Sequence, residues 1–397
     1  MTTKNNIPTG YKDSAVGIIP QEWEVDRLGE ICLTFKSGTT ITSQSIKESG
    51  LYPVYGGNGL RGYTDSYTHN GDYILIGRQG ALCGNINFIR GKAYISEHAI
   101  AVQPNESNSI EFLRYKLDFW NLNRFSESSA QPGLSVEKLV RYKLAVPPME
   151  EQRKIAEILG VWDEAIEKQS RLIEKLELRK RALMQRLLTG RTRLPGFTTP
   201  WQKVKLGEIC KRVTRRNEEN NQNVMTISAQ KGFVSQTDFF NKSVASSTLD
   251  NYYLVLKDEF CYNKSYSNGY PMGAIKRLKE ADKAVVTTLY ICFSITDKQK
   301  LSIDFFEQYC ENGEFNQGLI KIANEGGRAH GLLNVTPTDF FSLMMLLPTL
   351  PEQKAIAEVL TTADNEIATH RKKLDALRLQ KRGLMQQLLT GKTRVKI

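Results

Sequence analysis

Two segments of the chain carry apolar residues at alternating spacings of four and three, the pattern of a helical seam. They cover 151–188 and 352–389, and each is preceded by prolines and followed by a glycine, Gly190 or Gly391. The sequence therefore predicts two long helices whose seams pair as a coiled coil. The seam residues are Ile155, Leu159, Trp162, Ile166, Ile173, Leu176, Leu183, Leu187, Ile356, Leu360, Ile367, Leu374, Leu377, Leu384 and Leu388.

Polar residues interrupt the two seams at equivalent places. Gln169 and Lys180 lie in the first seam, and His370 and Lys381 lie in the second. Polar seam residues cost stability, but they select the register and the partner of a helix. The alternative is that each segment is an ordinary amphipathic helix packed on its own domain. The narrow, long seam and the dense flanking charge favour the coiled coil.

An internal repeat organises the chain. EQRKIAEIL and LMQRLLTGRTR, within 151–193, align without a gap with EQKAIAEVL and LMQQLLTGKTR, within 352–394, and about half of the aligned positions are identical. Upstream, Trp23 and Trp201 each precede the sequence LGEIC. Each repeat is therefore a domain followed by a helix. We predict a first domain at 1–150, a central helix at 151–193, a second domain at 194–350 and a C-terminal helix at 351–397.

The segments before the helices contain short apolar runs broken by Gly, Asn and Ser, which predict strands. The predicted strands are 73–77, 86–89 and 98–102 in the first domain and 252–256, 284–293 and 341–348 in the second, with helices at 110–120 and 302–313. The similar order predicts one α+β domain present twice. Antiparallel pairing of the helices would place the two domains at opposite ends, related by a pseudo-two-fold axis.

Composition narrows the class of protein. A chain of 397 residues with 40% hydrophobic residues can bury two cores. It lacks a run of eighteen apolar residues and an N-terminal secretory signal, so we expect a cytoplasmic protein with no membrane partner. Six scattered cysteines without a CxxC pair are expected to be reduced and mostly buried.

The formal net charge of +11 suits a nucleic-acid partner. Most of the excess charge falls in the two helical segments. The domains would therefore have to contact DNA through local basic loops rather than through a broad positive face.

Several loops combine basic, amide and aromatic side chains, which are the groups that contact base edges and phosphates. Glycine-rich turns are also the usual geometry of hairpins, and basic loops are usually solvated surface, so both interpretations stay open. The candidate DNA-binding residues are Asn58, Arg61, Tyr63, Arg78 and Gln79 in the first domain, and Lys211, Arg212, Arg215, Arg216, Asn263, Lys264, Tyr266, Asn268 and Arg328 in the second.

Taken together, these features resemble the specificity (S) subunits of type I restriction-modification systems. The resemblance rests on the two repeated helices, the two W…LGEIC domain starts, YPVYGGNGLRGY and GDYILIGRQGALCGNI, and it covers essentially the whole chain. The second domain has NKSYSNGYPMG in place of GRQGALCG and lacks a GGNGLRGY loop. The difference predicts two unlike half-sites, and hence an asymmetric target.

The resemblance implies the partners. Each domain would read one half of a bipartite sequence in double-stranded DNA, and the helices would set the gap and dock two methylation (M) subunits. Restriction (R) subunits would join the larger complex. S-adenosylmethionine would bind the methylation subunits, ATP and Mg²⁺ would bind the restriction subunits, and this chain would hold no cofactor.

The sequence contains no catalytic motif. A methyltransferase Asn-Pro-Pro-Tyr motif, a phosphate loop and metal-ligand spacing among the histidines and cysteines are all absent, so we expect no independent catalysis and no metal site. The alternative function is a scaffold or decoy that binds methylation subunits through its helices without reading DNA. The charge on the helices favours that alternative, whereas the unlike loops of the two halves favour reading.

Overall fold

The computed structural model describes residues 7–80, 82–126, 133–236, 249–323 and 333–397. Two helices of 39 residues each, Met149–Leu187 and Leu350–Leu388, confirm the prediction of two long helices. At 1.5 Å per residue, each is about 58 Å long. They are called the first and second long helix below. None of the helices in the described ranges combines the length and the hydropathy that a membrane-spanning segment requires.

The first domain is built on two four-stranded sheets. One is antiparallel, with its strands in the order Cys32–Ser37, Ala99–Pro104, Tyr73–Gly77 and Ile86–Ile89. The other has the order Gly59–Thr64, Tyr52–Gly56, Lys92–Ile95 and His69–Asn70, with one parallel pair in its centre. Two further pairs of short strands are Tyr11–Lys12 with Ile19–Pro20 and Glu24–Arg27 with Lys143–Val146. The helices of this domain are Ile110–Phe119 and Val136–Leu139, and it also has 3-10 turns at Ser43–Ser45 and Leu122–Phe125.

The second domain repeats the antiparallel sheet of the first. Its strands follow the order Cys210–Arg212, Ile291–Ile295, Phe260–Asn263 and Ala274–Arg277, which match the first domain's strands one by one. Its other described strands form three pairs: Met225–Ser228 with Gly232–Ser235, Tyr253–Leu256 with Lys283–Val286, and Gln202–Lys205 with Met344–Leu347. Its described helices are Leu206–Ile209, Ile303–Glu311, Asn316–Ile322 and Pro337–Phe341. One α+β domain therefore occurs twice.

Two strand predictions need correction. The run predicted as one strand over 284–293 forms two strands, because the Tyr290 amide donates to the Thr287 carbonyl in a turn. The run predicted as a strand over 341–348 begins at the end of a short helix. That helix starts at Pro337, and its N-cap, the Thr336 hydroxyl, accepts from the Asp339 amide. Apolar content alone did not distinguish these turns and caps from extended chain.

The chain divides into two compact units. The first unit contains residues 1–170 and 372–397, and the second contains 171–371. Each unit therefore combines one domain, the first half of one long helix and the last half of the other.

Within each unit the helix halves run antiparallel. In the first unit Glu151 pairs with Arg394 and Asp163 with Lys381, and in the second Glu177 pairs with Arg371 and Lys180 with Asp364, so partner numbers fall along one segment as they rise along the other. Most of the seam residues are buried, and Trp162, Ile166, Leu183, Leu377 and Leu384 are half-buried.

The seam also differs from a simple coiled coil at its ends. Ile155, Leu159 and Leu388 pack with Trp23 and Phe112 of the first domain. In the second unit, Leu187, Ile356 and Leu360 join the core of the second domain. Each domain therefore packs on both long helices. The seam pairs the two helices and also packs them on the domains, so each of the two interpretations is correct in part.

Candidate nucleic-acid interface

The two glycine-rich loops of the first domain lie against each other. A Cβ at Gly57 would lie 2.8 Å from the His98 carbonyl oxygen and 3.1 Å from the Gly77 Cα. The Arg78 amide donates to the same His98 carbonyl at 2.9 Å. Glycine allows this close backbone approach, because any side chain at position 57 would separate the loops. The fold thus joins two sequence segments that are twenty residues apart.

This loop pair presents polar side chains to solvent. Asn58, Arg61 and Gln79 are exposed, whereas Arg78 is half-buried. The Gln79 side-chain oxygen lies 3.2 Å from Nδ1 of His98, a residue that sequence reasoning had left inside a strand. Amide, guanidinium and imidazole groups at one place can contact base edges or phosphates.

Tyr63 lies away from the turn between its two strands. It is half-buried in the strand Gly59–Thr64, and its backbone exchanges hydrogen bonds with Lys47 at 2.8 and 2.9 Å.

In the second domain, an aromatic ring lies between two arginines. The Arg212 Nη2 is 3.5 Å from the Tyr253 hydroxyl oxygen, and the Arg216 guanidinium lies 5.2 Å from the centre of the Tyr253 ring. Arg212, Arg216 and the neighbouring Lys211 are exposed. Sequence reasoning missed Tyr253. This residue belongs to the apolar run YYLVL, and the run does not indicate that two arginines distant in the sequence lie beside its second tyrosine.

Two other predicted residues are bound within the domain. The Arg215 guanidinium donates to both carboxylate oxygens of Glu259 at 3.2 Å and to the Leu254 carbonyl at 3.0 Å. The Asn263 amide nitrogen donates to the Ile227 carbonyl at 3.0 Å, and its oxygen accepts from the Ser265 amide at 3.0 Å. These side chains hold strands and loops in place, which leaves them less free to contact a base.

The segment after Asn263 forms a separate exposed patch. Tyr266 is 69% exposed, and Asn268 is exposed while Lys264 is half-buried. The Gln230 amide donates to the Asn268 carbonyl at 3.0 Å and links this segment to the preceding hairpin. The predicted residue Arg328 lies outside the described residues.

The long helices carry equivalent anchors in the two units. In the first unit, the fully buried Glu151 carboxylate accepts from the Trp23 indole at 2.9 Å and from Arg394 at 2.7 and 2.9 Å. In the second, Glu352 accepts from Trp201 at 3.1 Å and from Arg193 at 2.5 and 2.7 Å. Each anchor joins the start of a domain, the start of one long helix and the residues after the other. We call these two groups the Trp-Glu-Arg anchors.

The residue after each anchor glutamate fixes the domain's own helix. The Gln152 oxygen accepts from the Ser109 amide at 2.8 Å, and the Gln353 oxygen accepts from the Ser302 amide at 2.8 Å. Ser109 and Ser302 are the N-caps of Ile110–Phe119 and Ile303–Glu311. The repeated Glu-Gln pair therefore serves domain packing, which explains why it occurs in both repeats.

Within the described ranges, no group of three or more His, Cys, Asp and Glu side chains could hold a metal ion. Burial raises the pKa of the Cys32 and Cys210 thiols to about 12, which disfavours the nucleophilic thiolate.

Comparison with protein families gives a match over both halves of the chain. The model described as the type I restriction modification DNA specificity domain matches residues 20–178 and 199–379. The Type I restriction enzyme EcoprrI specificity subunit of Escherichia coli is 42% identical over 159 residues, which cover 38% of this chain and 39% of that protein.

Two further similarities extend over nearly the full length. The Type I restriction enzyme MjaVIII specificity subunit of Methanocaldococcus jannaschii is 23% identical, over 95% of this chain and 94% of that protein. The crystal structure of a type I restriction-modification system S subunit from M. genitalium aligns with a TM-score of 0.59 and 16% identity, over 98% of each chain. At 16% identity, this structural similarity shows only that the two proteins share a fold.

Proposed function

Because the chain belongs to the type I restriction-modification DNA specificity family, we propose that it is the subunit that selects the DNA sequence for such a complex. Each domain reads one half of a bipartite target in double-stranded DNA. The paired long helices hold the two domains and set the gap between the half-sites.

The observation that carries this proposal is one domain fold present twice with different loops. The antiparallel sheet has the same strand order in both domains. Around this shared sheet the domains nevertheless present different groups, with Asn58, Arg61 and Gln79 exposed in one domain and Arg212 and Arg216 exposed beside the buried Tyr253 ring in the other. Unlike contact groups select unlike bases, so we infer an asymmetric target.

The partners of this subunit are two methylation subunits, docked along the long helices, and restriction subunits that join them. The comparisons give no support for the alternative of a scaffold that does not read DNA, since the matching family model is that of a DNA specificity domain. We propose that catalysis lies on the partners, with S-adenosylmethionine on the methylation subunits and ATP and Mg²⁺ on the restriction subunits.

Methylation mapping of a host that carries the system tests the reading function. Arg61→Ala with Gln79→Ala should relax or abolish the first half-site alone, and Arg212→Ala with Arg216→Ala should affect the second alone. Lys298→Ala, at an exposed position of the second domain outside the long helices and both groups of candidate residues, is the control and should leave the map unchanged. If both loop variants methylate the wild-type target as efficiently as the control does, these loops do not read DNA.

The assignment of catalysis to the partners has its own test. The purified chain is supplied with S-adenosylmethionine and DNA, and transfer of the methyl group is measured. We expect no turnover until a methylation subunit is added, and clear turnover by the chain alone would overturn the assignment.

A further inference from the structure

Two aspartates at equivalent positions of the repeat each bind a lysine of the opposite long helix. Asp163 accepts from Lys381 at 2.5 Å in the first unit, and Asp364 accepts from Lys180 at 2.6 Å in the second. The lysine side chains are only 15% and 16% exposed. These lysines are the polar interruptions of the two seams, so each has a carboxylate partner that sequence reasoning did not find.

The second oxygen of each carboxylate binds the adjoining domain. The Tyr115 hydroxyl of the helix Ile110–Phe119 donates to Asp163 at 2.5 Å. The Gln308 amide of the helix Ile303–Glu311 donates to Asp364 at 2.9 Å. Each aspartate thus joins three elements, namely its own long helix, the opposite long helix and a helix of the domain.

A seam of repeating apolar residues does not by itself define one register. A slip of one heptad, about 10 Å along the helix, brings apolar residues opposite apolar residues again. The same slip would leave each largely buried lysine without its carboxylate, which costs more than the loss of an exposed pair. The two lysines therefore select the observed register.

We propose that Asp163 and Asp364 are positioning residues that fix each domain to a single register of the helix pair, and so determine how precisely the complex measures the gap between half-sites. This inference rests on the proposed function. It assigns gap precision to two named junctions, whereas helix length alone would set only the mean gap.

The second unit offers a matched control. Arg179 and Glu366 also form a pair across the two long helices, at 2.5 Å, but the Arg179 side chain is 58% exposed whereas that of Lys180 is 16% exposed. Among the described residues, neither side chain has a hydrogen bond to the domain. Ala165 and Gln380 occupy the equivalent positions in the first unit, so this pair is not part of the repeated design.

The experiment uses the complex assembled with its methylation subunit and duplexes that carry the mapped target with its natural gap or a gap one base pair shorter or longer. The measured quantity is the ratio of methylation rates on natural and altered gaps. Asp163→Asn with Asp364→Asn should lower this ratio by about tenfold, the effect expected from losing charge-assisted hydrogen bonds. Glu366→Gln should leave it within about twofold of wild type.

A charge swap separates positioning from folding. Lys180→Asp alone should lower the ratio, and Lys180→Asp combined with Asp364→Lys should restore it. The swap is feasible in the second unit, because the buried Gln308 Oε1 has no hydrogen-bond partner and can accept from a lysine at position 364. Thermal melting of each complex identifies variants that merely lose stability, which would slow methylation on all three gaps alike.

The outcomes separate this inference from the proposed function. A wild-type complex that shows no bipartite sequence preference would overturn the proposed function. A wild-type complex that discriminates between gaps, together with aspartate variants of unchanged ratio, would overturn the positioning role alone. Failure of the swap to restore the ratio lost in Lys180→Asp would also overturn it.

Discussion

At the scale of single residues, Gly57 shows how little space separates the two loops of the first domain. A methyl group at this position would meet backbone atoms on two sides, the His98 carbonyl and the Gly77 Cα. Backbone atoms cannot rotate out of the way as the end of a flexible side chain can. The close backbone approach between the loop of Asn58 and the loop of Gln79 therefore depends on the absence of a Cβ at position 57.

Gly57→Ala should lower the stability of the chain by roughly 1–3 kcal/mol and weaken DNA binding by the assembled complex, because the added methyl group separates the loops. Urea unfolding and gel shifts with the mapped target measure the two effects. Gly383→Ala is the control, since a Cβ there meets no atom within 4 Å. Equal binding by the two variants would show that the loop contact is not needed for reading.

Lys116 is a second residue whose behaviour depends on its surroundings. Its ammonium is buried in the first domain and donates to the Leu389 carbonyl at 2.5 Å. Burial lowers the pKa of Lys116 to about 8, from the ordinary lysine value of 10.5. Between these values the unfolded chain retains a proton that the folded chain releases. The contribution of Lys116 therefore becomes more favourable to folding as the pH rises from 8 towards 10.5.

The Lys116→Met variant lacks this titrating group, so it does not share the stability that wild type gains from Lys116 as the pH rises. The free energy of unfolding of the variant minus that of wild type should therefore fall by roughly 2–3 kcal/mol between pH 7 and pH 10. Chemical denaturation of both proteins at several pH values measures the difference. Lys143→Met, at an exposed lysine of the same domain, is the control for removing a positive charge. A difference between Lys116→Met and wild type that does not change with pH would contradict the assigned burial of the ammonium.

At the scale of elements, the Trp-Glu-Arg anchors attach each domain to both long helices. The Glu151 and Glu352 carboxylates are fully buried, and hydrogen bonding to Glu151 raises the pKa of Arg394 above its ordinary value. A buried carboxylate is stable only with such partners, because desolvation would otherwise favour its neutral form. The repeated glutamate thus requires the tryptophan and the arginine that contact it.

Glu151→Gln should destabilise the first unit by about 1–3 kcal/mol, since it replaces charge-assisted hydrogen bonds from Arg394 with neutral ones. The change is measured as a shift of the urea midpoint. Glu157→Gln on the same helix, whose carboxylate is 64% exposed beside Lys154, should change stability by less than about 0.5 kcal/mol. Midpoints that move equally in both variants would mean that the anchor adds nothing beyond surface charge.

At the scale of the whole molecule, the two repeats share equivalent contacts between domain and long helices but have different candidate DNA-binding surfaces. The anchors and the two aspartate junctions recur in both units. Among the described residues, the solvent-facing polar groups differ, since the first domain carries Asn58, Arg61 and Gln79 and the second carries Arg212 and Arg216. A complex can thus keep its assembly contacts while its two half-sites differ.

Insertion of seven residues after Ser170 and seven after Arg371 keeps the seam and lengthens each long helix by about 10 Å, close to the rise of three base pairs. Methylation mapping should then show a gap longer by about three base pairs, or loss of the original target. The same seven residues inserted after Gly196, outside both helices, should leave the gap unchanged. An unaltered gap in the lengthened protein would exclude the helices as its determinant.

The sequence by itself determined the two long helices, the repeat and the α+β class. These features follow from periodic burial, which is written in the spacing of apolar residues along each segment. It also indicated which loops carry basic and amide side chains. Both Arg212 and Arg215 are exposed, and the sequence could not show that only Arg215 binds the buried Glu259.

Only the tertiary structure decided the partners of the polar residues. Lys180 and Lys381 interrupt the seams, and their spacing alone does not reveal that Asp364 and Asp163 neutralise them. The physical reason is range. The hydrophobic pattern of a helix repeats every few residues. These two ion pairs instead join groups 184 and 218 residues apart in the chain, and they form only where the fold brings the groups within about 3 Å.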